Sequence, residues 1–233
     1  MGRYTDLHNH LLGLENMIPK ERNPFMGQVN WQHNACVTNH MQFCELGRLY
    51  RQSADTLVAV AVENSSTLDV HVYAICFLYR HSIELLLKDL IWKSTYAAHG
   101  EKRFPKKHRL PDLWKELCSR LGCLASSDKP LTQKQETEVA EFLSEVSKHD
   151  QESDGFRYPY DKRMRRTHQE LVHVNLPLLK ERVDVVVDTL LNLYELVNWH
   201  YDQRSESEAE QSRCTEPLDG VAVPKRTPWA RGL

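Results

Sequence analysis

Glycine is scarce in this chain, 9 in 233 residues, and no unbroken apolar run approaches the ~18 residues of a membrane span. The first absence excludes collagen-like and Gly-rich linker proteins, and the second leads us to expect no membrane segment. The longest apolar stretches, Leu57 to Val62 and Val72 to Tyr79, are short. The 6 cysteines, at positions 36, 44, 76, 118, 123 and 214, form no Cys-x-x-Cys pair and no regular framework, which fits a reduced, cytoplasmic protein. The opening residues, Met1 to Asp6, lack the apolar core of a secretory signal. An excess of charge of one sign is also missing. The 30 Lys and Arg against 32 Asp and Glu give a formal charge of −2, unlike a histone-like general binder of nucleic acid. Gly-x-Gly-x-x-Gly, Walker, His-Glu-x-x-His and Gly-x-Ser-x-Gly words are absent, so no cofactor is expected from them.

What is present is helical periodicity in a chain that is 41% hydrophobic. Apolar residues recur at steps of three and four from Phe43 onward. The spacing predicts helices over 43–62, 68–93, 111–121, 133–148 and 176–200. Pro111 suits a first helical turn, Gly122 reads as a stop, and Thr132 with Gln135 has capping-box spacing. No β alternation and no internal repeat is evident. The expectation is an all-α, single helical bundle of about five helices over 43–202. It is preceded by an irregular N-terminal extension over 1–42, and a Ser-, Glu- and Gln-rich tail over 203–233 reads as disordered.

The predicted helix over 68–93 is the most informative element. At about 100° per residue, Val72, Ile75, Cys76, Tyr79, Ile83, Leu86, Leu87 and Leu90 fill one arc. Ala74, Leu78, Leu85 and Trp92 fill a second. Arg80, His81, Glu84 and Lys88 lie between them. A helix apolar on most of its circumference belongs at the centre of its bundle. The charged strip is either a solvated i,i+4 ladder, worth ~0.2–0.5 kcal/mol per pair, or a partly buried polar cluster that needs partners. For the second reading, the expected partner lies in the connection at 150–161, whose Arg157, Tyr158 and Asp161 form an unusual polar set around Phe156 and Pro159.

Three words in this region carry a family resemblance. They are Tyr79-Arg80-His81-Ser82-Ile83-Glu84-Leu85-Leu86-Leu87-Lys88, then His108-Arg109-Leu110 with Leu113-Trp114, and finally Asp150, Ser153 and Phe156-Arg157-Tyr158-Pro159-Tyr160-Asp161. Together they resemble a bacterial subgroup of the HEPN superfamily, small helical bundles found among toxins and defence proteins. The resemblance implies a metal-independent ribonuclease acting through an Arg followed by a His at the start of the closing helix. The His would exchange a proton with the RNA 2′-hydroxyl or the leaving oxygen, while the Arg holds the phosphate. It also implies a homodimer with a composite site, and a cognate antitoxin or defence-system partner protein.

With 17 Arg and 12 His, Arg–His pairs of this spacing arise by chance, so position must discriminate. Arg166 with His173 stands just before the closing helix and is the principal catalytic candidate. Arg163 with His168 is the reserve. The start of that helix also offers N–H groups and a positive dipole end to a phosphate. The alternative is a catalytically inactive module that binds RNA, a nucleotide or a protein through Arg80, Arg157 or the basic loop near 101–109.

Charge is distributed in blocks. Residues 101–120 hold 7 basic and 3 acidic groups, residues 157–170 hold 5 and 2, and residues 132–154 hold 2 and 7. Such a surface suits RNA phosphates or the pairing of two copies. His33, Cys36, His40 and Cys44 share one helical face. If the segment is straight, their span of about 16 Å of helix cannot close on one zinc with bonds of ~2.0–2.3 Å; a metal would need a bent segment or a pair from His8 and His10, and none is expected.

Overall fold

The computed structural model describes residues 35, 37, 41–124, 130–150, 153–161, 163–167 and 171–215. Among these residues it contains five α-helices: α1 (Phe43–Glu63), α2 (Leu68–His99), α3 (Leu110–Leu124), α4 (Gln133–His149) and α5 (Leu176–Thr215). A 3₁₀ turn, Ser65–Thr67, joins α1 to α2. Among the described residues the only strand-like pairing is the isolated bridge between Tyr160 and Arg166. The architecture is all-α. The described helices all belong to one compact unit.

Local chemistry starts the helices. The Gln42 side chain accepts from the first turn of α1 while its backbone N–H donates to Glu45 Oε2 at 2.9 Å. Thr132 and Gln135 close the same reciprocal box at α4. Asn175 Oδ1 accepts the Leu178 N–H at 3.0 Å and caps α5.

α2 is the central helix. It packs against α1, α3 and α5, and its residues are buried almost without break from Tyr79 to Tyr96. Around it lie Ala54, Val58 and Ala61 of α1, Leu113, Trp114 and Leu117 of α3, Phe142 and Leu143 of α4, and Val183, Val187, Leu190 and Val197 of α5. Gly47 lets α1 approach α2 closely, since a Cβ there would stand 3.2 Å from both Leu86 Cγ and the Ser82 carbonyl. Across the bundle, Arg51 of α1 pairs with Asp184 of α5 at 2.7 Å, and Tyr79 of α2 donates to Asp55 at 2.6 Å. Ser65–His99 is long and apolar enough to cross a membrane, with mean hydropathy 1.2 over its best window. Of that window, 56% is buried inside the bundle, the pattern of a core helix.

Three helix ends differ from the sequence expectation. α2 continues past Lys93 to His99 and stops at Gly100, whose φ of 71° is left-handed. α5 continues past His200 to Thr215, so the segment expected to be disordered from 203 is helical up to that residue. The two extensions support each other. Tyr201 packs on Trp92 and Tyr96, Tyr96 donates to Glu208 Oε2 at 2.8 Å, and Arg204 reaches the Ala97 carbonyl. α3 runs to Leu124, so Gly122 lies within the helix rather than ending it.

Candidate functional site

Arg80 and Glu84 are 1% and 2% exposed, and Lys88 is 6% exposed. The strip on α2 is therefore a buried cluster and not a solvated ladder. Arg80 Nη1 donates to Glu84 Oε2 at 2.5 Å, and its Nη2 donates to the His108 carbonyl at 2.7 Å. Its Nε lies 3.1 Å from Asp150 Oδ2, off the N–H direction, which makes a charge contact and not an aligned hydrogen bond. Glu84 Oε1 meets Lys88 Nζ at 2.9 Å and His108 Nδ1 at 2.9 Å. Burial alone would raise the Glu84 pKa. Hydrogen bonds and charge from Lys88 and Arg80 override it and hold the carboxyl at about 2. Asp150 Oδ1 in turn accepts the N–H groups of Asp154 and Gly155, each at 3.0 Å. The cluster thus ties α2 to the connection before α3 and to the chain leaving α4.

Two expectations about this cluster are corrected. His81 is not part of it. Its ring stacks on Phe77 and meets Tyr50 edge-on, with centroids at 5.4 and 5.0 Å, and burial lowers its pKa. The partner of Arg80 from the 150–161 segment is Asp150, whereas Arg157, Tyr158 and Asp161 form a separate group. Arg157 Nε donates to the Ser153 carbonyl at 2.6 Å, and its guanidinium lies 5.6 Å from the ring centroids of Phe77 and Tyr158.

Asp161 builds a tight turn. Its Oδ1 accepts the N–H groups of Arg163 at 2.8 Å and Arg165 at 2.9 Å, and its Oδ2 is held by the Arg165 side chain at 2.7 and 2.8 Å. The Arg165 N–H, together with that guanidinium, pulls the Asp161 carboxyl below its usual range. Thr167 closes the turn by donating to the carbonyls of Pro159 and Tyr158. The turn presents Tyr158 and Tyr160, which are 56% and 41% exposed.

Arg166 lies on this turn and lines a shallow recess of about 580 Å³ with Tyr73, Phe156, Arg157, Tyr158 and Tyr160. His173 is exposed and lines two neighbouring recesses. One, about 240 Å³ and largely apolar, includes Arg80, Phe142, His149 and Arg182, and the other includes Tyr73 and Phe156. Arg166 and His173 thus lie in adjoining recesses with common walls. Arg163 is exposed on the turn, and His168 lies outside the described residues, as do His33, Cys36 and His40. Among the described residues no group of three potential metal ligands is gathered. The start of α5 is a poorer anion site than expected. Asn175 takes the Leu178 N–H, Pro177 has none, and Leu176 is 2% exposed.

Comparison with protein-family models, curated proteins and solved structures gives no match.

Sequence reasoning missed His108 as a site residue. Its imidazole is half exposed, with a side-chain exposure of 51%, and Nδ1 is turned inward to Glu84. A second buried polar cluster also went unnoticed. Lys93 donates to Gln42 at 3.2 Å, to Asn198 at 3.0 Å and to the Tyr194 hydroxyl, while Asp89 stands beside it with both oxygens buried and unbonded. The signal for Lys93 was present. It lies five residues after Lys88, outside the charged strip and on the arc that holds Ile75, Tyr79, Leu86 and Leu90.

Proposed function

We propose that the chain is a HEPN-type, metal-independent endoribonuclease, a toxin or phage-defence effector of a reduced, cytoplasmic setting, and that it works as a homodimer. The observation that carries the reading is the surface around Phe156. Cations and exposed aromatic rings there line the recess that holds Arg166 and adjoin the recesses that hold His173. Unpaired bases stack on such rings, and guanidinium groups fork onto phosphate oxygens. In this reading Arg166 and Arg157 hold the strand. His173 withdraws the proton of the 2′-hydroxyl, which attacks the adjacent phosphorus and releases the 5′ oxygen, and an acid returns a proton to that leaving group. A cognate antitoxin or defence-system protein would restrain the activity.

The test is incubation of purified protein with labelled single-stranded RNA in EDTA. We expect cleavage by the wild type, a fall of ~10²–10⁴-fold in His173→Ala, and a comparable loss in Arg166→Ala with the helical spectrum unchanged. Cleavage that persists in His173→Ala, with Arg163 and His168 as the reserve pair also dispensable, would overturn the assignment.

A second reading has its own support. The capped start of α5 and the separation of Arg166 and His173 into adjoining recesses suit a catalytically inactive module that binds RNA on the same surface. It predicts binding lost in Arg166→Ala and no cleavage by the wild type.

A further inference from the structure

The connection between α2 and α3, residues 100–109, contains neither helix nor strand, yet it is held firmly from beneath. Arg80 grips the His108 carbonyl at 2.7 Å, and Glu84 grips the His108 ring at 2.9 Å. Lys88 Nζ sits 5.7 Å from the centroid of the Phe104 ring, which stacks on Phe43 at 4.5 Å, and Pro105 is buried. The charges that do this are themselves out of water, so their geometry is narrowly set. Movement of the loop at His108 would cost buried Arg80 and Glu84 one hydrogen-bond partner each.

On its outer side this fixed loop makes a recess of about 270 Å³ against α2 and α3. Arg103, Lys106 and Lys107 line it from the loop and Arg120 from α3, together with the carboxylates Glu101 and Glu116. Glu116 is already paired with Lys107 at 3.1 Å. Four cations against two carboxylates leave two positive charges in excess. The volume lies just below that of small-molecule sites, ~300–1,000 Å³, so it suits a terminal group and not a strand passing through.

We propose that this recess is a binding site for a phosphomonoester, with Arg103 and Arg120 as its principal ligands. A terminal phosphate carries about −1.5 to −2 charges at pH 7, which matches the excess, whereas a bridging diester carries only one negative charge. Two guanidinium forks from different elements suit the oxygens of a terminal phosphate, and a fixed loop lowers the ordering cost of binding. The site does not depend on the ribonuclease reading and lies apart from the residues named for it.

Titration calorimetry in EDTA tests the proposal with three probes: ribose 5-phosphate, a 5′-phosphorylated RNA trinucleotide, and the same trinucleotide without its phosphate. The phosphorylated probes should bind the wild type at least about tenfold more tightly than the unphosphorylated one, the loss expected when charged hydrogen bonds are removed. The double variant Arg103→Gln, Arg120→Gln should lose about tenfold or more for both, with its thermal midpoint unchanged. Arg166→Ala and His173→Ala should leave the binding of ribose 5-phosphate as it is, which separates its fate from that of the ribonuclease. Equal affinity for the two phosphorylated probes would identify a free phosphorylated sugar as sufficient, and tighter binding of the trinucleotide would identify an RNA end. Indifference to the phosphate, indifference to the double substitution, or no binding at millimolar probe would overturn the proposal.

Discussion

Arg80, Lys88, Glu84 and Asp150 meet out of water with two charges of each sign, so removing one member leaves another uncompensated. Loss of a partner from a buried pair costs about 3–5 kcal/mol, and we expect Glu84→Gln or Arg80→Met to lower stability by that order in urea denaturation. Glu84 also links stability to pH. Its folded pKa of about 2 lies below the ordinary 4.5, so its contribution is fully present above pH 4.5 and fades as pH falls towards 2. The linked amount is about 3 kcal/mol. Urea midpoints measured across that window should fall for the wild type and flatten for Glu84→Gln. Asp89 has the opposite sign. Burial raises its pKa, and Lys93 Nζ, 3.7 Å away, is beyond hydrogen-bond reach. Its ionised form therefore costs stability as pH rises above the ordinary carboxylate range. Asp89→Asn should raise the thermal midpoint at neutral pH. A lower midpoint would show that the Lys93 charge contact outweighs desolvation.

At the scale of elements, the last turns of α2 and α5 form one structural unit. Gly100 ends α2 in a left-handed conformation, and a Cβ there would lie 2.7 Å from Arg204 Nη2 of α5. Gly100→Ala should cost about 1–2 kcal/mol from the backbone alone, read as a lower thermal midpoint. A chain cut after Asp202 loses the Tyr96–Glu208 and Arg204–Ala97 bonds. It should melt at a lower temperature, with a changed tyrosine environment in the near-ultraviolet circular dichroism spectrum. If the cut chain melts as the full one does, the extension of α5 contributes nothing to the bundle. The start of α4 was readable in advance because its capping box, Thr132 with Gln135, is complete within four residues, and that of α1 because apolar periodicity begins at Phe43. The ends of α2 and α5 were not, because each is sustained by the other helix from about a hundred positions away in sequence.

For the whole molecule, the proposed ribonuclease requires two copies, since the resemblance to HEPN proteins implies a site composed across a dimer. Light scattering at micromolar concentration should give twice 27.2 kDa, and a monomer mass would count against that reading. The sequence by itself determined the all-α class, the order of the described helices, the centrality of α2 and the position of its polar strip, because periodicity and composition are properties of a chain read a few turns at a time. The tertiary structure alone decided which members of the strip act together. Arg80, Glu84 and Lys88 turn to the chain arriving at His108 and Asp150, while His81, one step further round, meets Tyr50 and Phe77 instead. It also decided that the Asp161 turn closes on itself, and that Arg166 and His173 lie in adjoining recesses. These outcomes depend on the direction from which distant segments reach one helix face, and no local pattern encodes that direction.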